Sequence, residues 1–589
     1  MSSQLSTALQ AELNRLKLEV HSLRSQQGAE QITVGNYLLT RLEQLGVTCM
    51  FGIPGDFNLG FLDLVEDHPT IKWVGGCNEL NAAYASDGYS RVKEHSIGAL
   101  VTTFGAFDFD YTRTAFSEMV PLLHLVGVPS TSQQTSKPML HHTLGDGRYD
   151  AYIKAAQQVT FSQAMLHNKN DAAAEIDRVL IDAITVARPV YLSLPTDLVN
   201  EKIDSERLRI PLSRNQPQND PQVECYVLDL IANLVNDAHG DVVVLVDACT
   251  IRHDVRGEVG ELLKKTGFPV YAAPMGKTAV DETYERYGGI YCGSISRPEV
   301  KEKVESAKIV LSVGSMRSDF NTGGFSYNIP TKRTIELHSG VTKVQFAVFP
   351  GIGMKELLPK LAERLSHHHE NAIKIPVPKF VTPVPKEDTN TITHAWLWPR
   401  VGTFFKPKDE RLTSAFWMFR YLRSPVWSTK FCGAVSDGSL LGAALATKDV
   451  GLGRTILFVG DGSAQLTVQE FSVMLENGLK PIIFLLNNYG TQLTSQTRRK
   501  YNDIPNWNWT SLFKTLGDTE EKRSRTYTVR TKDELSSLLN DQTFLAADKM
   551  QLVEVMMEKH DAPKGLQMQA ELSARSNAYD KVMRPTSFA

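Results

Sequence analysis

The chain reads as an α/β protein built from three doubly wound parallel-sheet domains of Rossmann or flavodoxin type. Three observations predict this. Its 589 residues suffice for three or four domains of ordinary size. Apolar runs of strand length alternate with helical stretches in three successive blocks. Runs such as 241–247 (DVVVLVD) and 308–313 (KIVLSV) are continuously apolar, as strands covered on both faces of a parallel sheet are.

The blocks follow in order along the chain. An extension at 1–30 carries Leu5, Leu9, Leu13, Leu16, Val20 and Leu23 at spacings of three and four, about three heptads of amphipathic helix. It lacks the unbroken apolar core of a secretory signal, and Glu12 and Glu19 argue against a mitochondrial presequence. The first block spans 31–204. The polar stretch 213–222 (SRNQPQNDPQ) leads into the second, 218–369. A linker at 370–390, overlapping the Pro-rich spacer 376–391, precedes the third block at 391–565, and a tail covers 566–589. The His367–His369 run is expected on a solvated surface.

Composition excludes several classes. The net charge of −3 gives no electrostatic case for nucleic acid or a membrane surface. No apolar run approaches the ~20 residues that span a bilayer. Six cysteines without a CxxC pair fit neither a zinc site nor a disulfide framework. They fit a reducing compartment, and a cytoplasmic location is expected.

Residues 460–490 (GDGSAQLTVQEFSVMLENGLKPIIFLLNNYG) carry the strongest chemical signal. The runs 455–460 and 481–488 read as parallel strands. Leu466, Phe471, Met474 and Leu475 give a helix between them, which Asn477-Gly478 stops. Asp461 and Asn488 then stand at the carboxyl ends of neighbouring strands, where open α/β sheets bind ligands. With the Gly490 carbonyl they form a hard-oxygen set suited to Mg²⁺, which leaves other positions for water and phosphate. Gly460 and Gly462 admit a close phosphate, and the helix start at Ser463 favours negative charge.

The first block holds three further constellations. The turn 51–58 (FGIPGDFN) places Asp56 at a sheet edge. Asn78-Glu79 opens a helix whose Ala82, Ala83 and Ala85 permit close packing. His141 and His142, beside a Gly-rich turn in LHHTLGDG, are two adjacent imidazoles expected to transfer protons rather than share one metal ion.

These segments carry a family resemblance. FGIPGDFNL, NELNAAYASDGYSR, LHHTLGDGRY, DACTIRHDV, PMGKTAVDE, GDGSAQLTVQE and YNDIPNWNW resemble the fungal-like pyruvate decarboxylase family, from about residue 31 to 560. Members are thiamine-diphosphate- and Mg²⁺-dependent 2-oxo-acid decarboxylases. The resemblance implies that the first block binds the pyrimidine ring, the second is regulatory and the third binds the diphosphate. It gives Asp461, Asn488 and Gly490 to Mg²⁺, and Gly460, Gly462, Ser463, Asn488 and Gly490 to the cofactor. Glu79 would hydrogen-bond the aminopyrimidine ring, while Asp56, His141 and His142 would move protons. Glu79 and Asp461 would meet from different subunits, so a dimer is the minimum unit and a tetramer the usual one. Cys249 matches a position tied in some relatives to substrate activation; a core cysteine is the competing reading. Pyruvate is the expected substrate, with indolepyruvate or phenylpyruvate as the alternative, and a non-catalytic paralogue subunit as another.

Three segments depart from the family pattern. After Thr102-Thr103-Phe104-Gly105 the expected Gly-Glu-Leu-Ser loop is replaced at 106–120. At 410–439 the strand and the cofactor-cradling turns give way to an aromatic, basic stretch without clear periodicity, expected to pack loosely. At 489–500 the family's glutamate is missing; Thr494 stands there, and no acid occurs through Tyr501. Weak or absent activity is the expectation, since a positioned acid is commonly worth ~10²–10⁴-fold in rate.

Overall fold

A computed structural model describes residues 30–105, 109–213, 217–379, 383–406, 409–413, 429–431, 437–490 and 504–583. The heptad extension, apart from Glu30, lies outside them, as do Thr494 and most of 410–439.

Eight strands belong to the first domain: β1 (Gln31–Thr33), β2 (Cys49–Gly52), β3 (Lys72–Gly75), β4 (Gly98–Thr103), β5 (Leu122–Val128), β6 (Ser162–Met165), β7 (Pro189–Pro195) and β8 (Lys202–Asp204). Six form a sheet in the order β3-β2-β4-β5-β7-β6, parallel throughout. β1 and β8 pair antiparallel and tie the domain's two ends together, Gln31 opposite Asp204. Thr33 caps the Val34–Gln44 helix by accepting from Asn36 N at 3.2 Å. That helix buries Val34, Tyr37, Leu38 and Leu42. Its Arg41 makes a buried ion pair with Asp177 of the Lys169–Val186 helix, Nε to Oδ1 at 2.7 Å.

The central domain contains β9 (Val242–Val246), β10 (Val270–Ala272), β11 (Tyr287–Ile290), β12 (Ile309–Val313), β13 (Thr334–Leu337), β14 (Val341–Val344) and β15 (Ala347–Pro350). Their order is β11-β10-β9-β12-β13-β14-β15, with β14 and β15 antiparallel. The continuously apolar runs are indeed its inner strands: every residue of β9 and β12 is buried.

The third domain has β16 (Glu410–Thr413), β17 (Thr429–Phe431), β18 (Thr455–Gly460), β19 (Ile482–Asn487), β20 (Ser524–Val529) and β21 (Met550–Met556). All pair parallel, in the order β17-β16-β18-β19-β21-β20. Numbered within its own domain, this order is 2-1-3-4-6-5, the same as in the first sheet. In both, the strand order reverses direction beside the third strand, which creates a crevice at the carboxyl edge.

Three expectations need correction. The 410–439 stretch is not without strands: Glu410–Thr413 lies beside β18, with Glu410 opposite Thr455. A four-residue strand is too short to show periodicity. Leu466 does not join the apolar helix face; it is exposed between the short Asp461–Ala464 helix and the Glu470–Glu476 helix. Within the histidine run only His367 and His369 are exposed. His368 is buried, with Nε2 2.9 Å from Asn236 Oδ1.

The first and third domains meet through two helices, Glu79–Val92 and Asp437–Asp449. They approach until glycine alone fits at the crossing. A β-carbon at Gly442 would fall 1.7 Å from the Ala85 carbonyl oxygen, and one at Gly88 would fall 2.0 Å from the Ser439 carbonyl oxygen. Ala82, Ala83 and Ala85 are fully buried in the same core cluster as Leu440, Leu441 and Ala443. Backbone-to-backbone contact leaves no flexible side chain to give way. Gly442→Val should therefore lower stability by about 3 kcal/mol or more, read from the thermal unfolding midpoint. Gly257→Ala, where a β-carbon meets nothing within 4 Å, should raise it by about 0.5–1 kcal/mol. Equal responses would show that the crossing is not tight.

Candidate active site

Asp461 follows the last residue of β18 and opens the short helix at the sheet's carboxyl edge. It is only 4% exposed. Its Oδ1 accepts from the Gly462 amide at 2.9 Å. Its Oδ2 is buried and has no hydrogen-bond partner among the described residues. Burial pushes the carboxyl up to about 6, opposed by the amides of Gly462 and Gly490 and by Lys559. A buried carboxylate with one unused oxygen fits a cation: the metal would supply the missing interaction, and the ionised form would no longer be costly.

β19 ends beside it at Asn487, and its two asparagines have different work. Asn487 Nδ2 donates to Glu554 Oε1 at 2.8 Å and to Asn506 Oδ1 at 3.1 Å, while its Oδ1 accepts from Tyr489 N at 3.2 Å. Asn487 thus holds the turn. Asn488, also buried, follows it at the same edge. Tyr489 has φ of 60° and Gly490 of 148°, so the chain doubles back and turns the Gly490 amide toward Asp461. A β-carbon at Gly460 would meet nothing within 4 Å, so the edge in front of the strand is open. Gly462 and Ser463 lie on that short helix, half-buried. These features fit a divalent ion carrying a diphosphate.

In the first domain the turn after β2 is fixed by Asn58, whose Oδ1 accepts from Gly55 N at 2.9 Å and whose Nδ2 donates to Ile53 O at 3.0 Å. That leaves Asp56 projecting into solvent. His141 Nε2 lies 2.8 Å from Asp56 Oδ2, and the His141 ring stacks on Phe57 at 5.3 Å. The His142 ring is 4.9 Å from His141. His142 has φ of 63°, and a β-carbon at Gly105 would fall 2.6 Å from its carbonyl oxygen. Tyr152 OH donates to that carbonyl at 2.9 Å. Asp56 and His141 are more than half exposed, so their contact contributes little stability. Its consequence is positional: a carboxylate orients an imidazole beside the carboxyl edge of β4.

Glu79 is half-buried in the first turn of its helix, where Asn78 accepts from Asn81 N at 2.8 Å. The preceding Cys77 amide donates to Glu470 Oε1 at 3.0 Å, which sets this helix start against the third domain. Among the described residues no hydrogen bond or ion pair joins Glu79 to Asp461. Glu470 was not expected from the sequence. It is fully buried, faces Asn81, and its Oε2 has no partner among the described residues, so burial raises its pKa. Thr467, also buried, accepts from Gly438 N at 3.2 Å and joins the helix crossing to this edge. The one signal for both was their place in the GDGSAQLTVQE motif, since a first-turn glutamate is ordinarily explained by the helix dipole. Cys249 is fully buried, and burial pushes its thiol up to about 12, with Asp247 adding to the effect.

Three family models match successive parts of the chain: the N-terminal TPP binding domain of thiamine pyrophosphate enzymes at 32–151, their central domain at 228–350, and their C-terminal TPP binding domain at 413–555. Curated relatives match almost end to end. The chain is 40% identical to the pyruvate decarboxylase of Aspergillus fumigatus over 569 residues, 93% of this chain and 98% of that one. It is 40% identical to pyruvate decarboxylase isozyme 2 of Saccharomyces cerevisiae, covering 93% of this chain and 99% of the relative. A putative pyruvate decarboxylase of Schizosaccharomyces pombe is 41% identical with the same coverage.

The Asp461 carboxyl makes a signed prediction for the ligand-free protein. Its folded pKa, about 6, lies above the ordinary 3.8. The native state therefore holds the proton longer, and this group lowers stability as pH rises from about 4 to 6, by on the order of 2–3 kcal/mol at neutral pH. Asp461→Asn should raise the ligand-free unfolding midpoint at pH 7, and by roughly half as much at pH 5. An unchanged or lowered midpoint at pH 7 would contradict the burial of a charged Asp461.

Proposed function

The chain belongs to the pyruvate decarboxylase family of thiamine pyrophosphate enzymes, and from that premise we propose that it removes CO₂ from pyruvate without oxidation, releasing acetaldehyde. The observation that carries this reading is the unused oxygen of Asp461 beside the Gly490 turn, inside the segment matched by the C-terminal TPP binding domain.

Asp461, Asn488 and the Gly490 carbonyl would hold Mg²⁺, and Gly460, Gly462 and Ser463 would receive the diphosphate. When bound, thiamine diphosphate supplies the carbon nucleophile and the electron sink that decarboxylation requires. Glu79 would hold a proton at the aminopyrimidine ring nitrogen. Burial of the edge under the helix crossing would keep bulk water from the metal ligands. Asp56, through His141, would orient His142 to deliver or remove a proton at the mouth. The 31–204 block would bind the pyrimidine ring and the 391–565 block the diphosphate, with 218–369 regulatory between them. We place Glu79 and Asp461 in one site across two subunits, in a dimer or tetramer, as the family implies. Among the described residues no helix is long and apolar enough to cross a membrane. Five described cysteines are free thiols, which fits a cytoplasmic enzyme.

The rate should be low. The missing glutamate, whose position Thr494 occupies outside the described residues, is expected to cost ~10²–10⁴-fold. Measured acetaldehyde release, with Mg²⁺ and thiamine diphosphate in excess, should therefore fall well under the ~10 s⁻¹ median of enzymes. Turnover at or above that median would show that another group supplies the proton. No turnover in a folded, cofactor-loaded chain would instead make it a non-catalytic subunit.

Asp56→Asn should lower kcat by a further ~10²-fold without moving the unfolding midpoint, because the exposed Asp56–His141 contact contributes almost nothing to stability. An unchanged kcat would remove Asp56 from the proton path.

A further inference from the structure

Outside that site, a second set of ligating side chains gathers at the carboxyl edge of the central sheet. Asp247 follows β9 and caps the Ala248–Arg252 helix; this helix carries Cys249, and His253 follows it. The Cys249 amide donates to Gly314 O at 3.0 Å, just beyond β12. His338 comes directly after β13, and its carbonyl accepts from Met354 N at 2.9 Å. The ends of β9 and β13 thus bring one donor atom each from Cys249, His253 and His338 within 4.8 Å of one another. Bonds of about 2.0–2.3 Å to one ion space its ligands roughly 3.5 Å apart, so small rotamer shifts would close the set. The first domain adds a fourth donor, since Met119 Sδ lies 3.3 Å from Cys249 Sγ.

The Cys249 thiol donates to Met119 Sδ, a member of the same cluster. His253 Nε2 is buried with no partner among the described residues. His338 uses Nδ1 toward Ser339 Oγ at 3.1 Å, which leaves Nε2. The rings of His253 and His338 stand 5.5 Å apart at 68°, an open angle rather than a stack. Burial keeps His253 neutral at ordinary pH, as a metal ligand must be.

We propose that Cys249, His253 and His338, with Met119 as a weaker fourth donor, form a binding site for one monovalent copper ion at the seam of the first and central domains. Softness and charge select the ion. A thiolate, a thioether and two imidazoles are the ligands that soft copper prefers over hard divalent cations. Arg188, Arg252 and Lys355 near the cluster are offset by the carboxylates of Asp247, Glu336 and Asp254, so a site there has little charge to spare for a divalent ion. A monovalent ion on one thiolate adds no net charge there, whereas Zn²⁺ or Cu²⁺ would add one unit. In the binding step the Cys249 S–H bond breaks and an S–Cu bond forms. The proton leaves to solvent, and copper keeps its oxidation state.

The test uses the full chain with Cys77→Ser and Cys225→Ser, which remove the exposed thiols among the described residues, and with Cys432→Ser, which lies outside them. Titration of its copper(I) complex with bicinchoninate, without oxygen, should show one equivalent withdrawn per chain. Cys249→Ser and, separately, His338→Gln should weaken that binding by at least about 100-fold. X-ray absorption should show sulfur and nitrogen neighbours together. Copper binding that survives both substitutions would overturn the site, as would no withdrawal by a folded chain. Zn²⁺ held as tightly in the same place would overturn the choice of ion. Circular dichroism separates either result from misfolding, and His338→Gln, at a half-buried position, covers the case in which Cys249→Ser does not fold.

Discussion

The Asp461 carboxylate sits under the end of β18 where water does not reach its second oxygen. Charge in that position is costly unless something cationic meets it. Much of the third domain can be understood from this constraint. β18 and β19 run parallel in register, Gly460 opposite Leu486, so their carboxyl ends arrive together. Asn487 spends its amide on Glu554 and Asn506 and its oxygen on Tyr489, which fixes the turn that points Gly490 at Asp461. Open space in front of Gly460 leaves room for what would neutralise the carboxylate. Fold and chemistry are therefore coupled through one residue: the same burial that destabilises the ligand-free protein leaves a carboxylate oxygen that a cation would satisfy.

The second organising contact is the crossing of the Glu79–Val92 and Asp437–Asp449 helices. Gly88 and Gly442 let one backbone rest on the other, and neither position has space for a side chain. Thr467 and Glu470 extend this contact to the third sheet's edge, one through the Gly438 amide and one through the Cys77 amide. Because the first and third sheets share the order 2-1-3-4-6-5, the crossing joins two copies of one architecture. The central sheet, with its reversed order and two antiparallel strands, stands apart in topology and carries its own group of ligating side chains.

Strands and helix starts were legible where local chemistry decides them. The apolar runs at 241–247, 308–313 and 455–460 are strands, because only a buried parallel sheet accommodates such continuous runs. Asn78 and the Asn477-Gly478 pair mark a helix start and a helix end through capping and a φ of 61° at Gly478. The meeting of Asp56 with His141 could not be read from local chemistry, since they stand far apart in sequence and only the fold closes that gap. Glu470 and His368 were missed for a related reason. Each looks like an ordinary surface residue in its own helix and becomes buried only through a distant partner, Cys77 in one case and Asn236 in the other. Leu466 failed in the opposite sense: helical spacing placed it inward, but the helix breaks before it and leaves it exposed.

The most direct measurement is calorimetric binding of thiamine diphosphate to the purified chain, with and without Mg²⁺. One cofactor per chain, bound only when Mg²⁺ is present and not bound by Asp461→Asn, is the expected result. Cofactor binding that is indifferent to Mg²⁺, or that survives the loss of the Asp461 carboxylate, would contradict the assignment of this edge as the metal–diphosphate site.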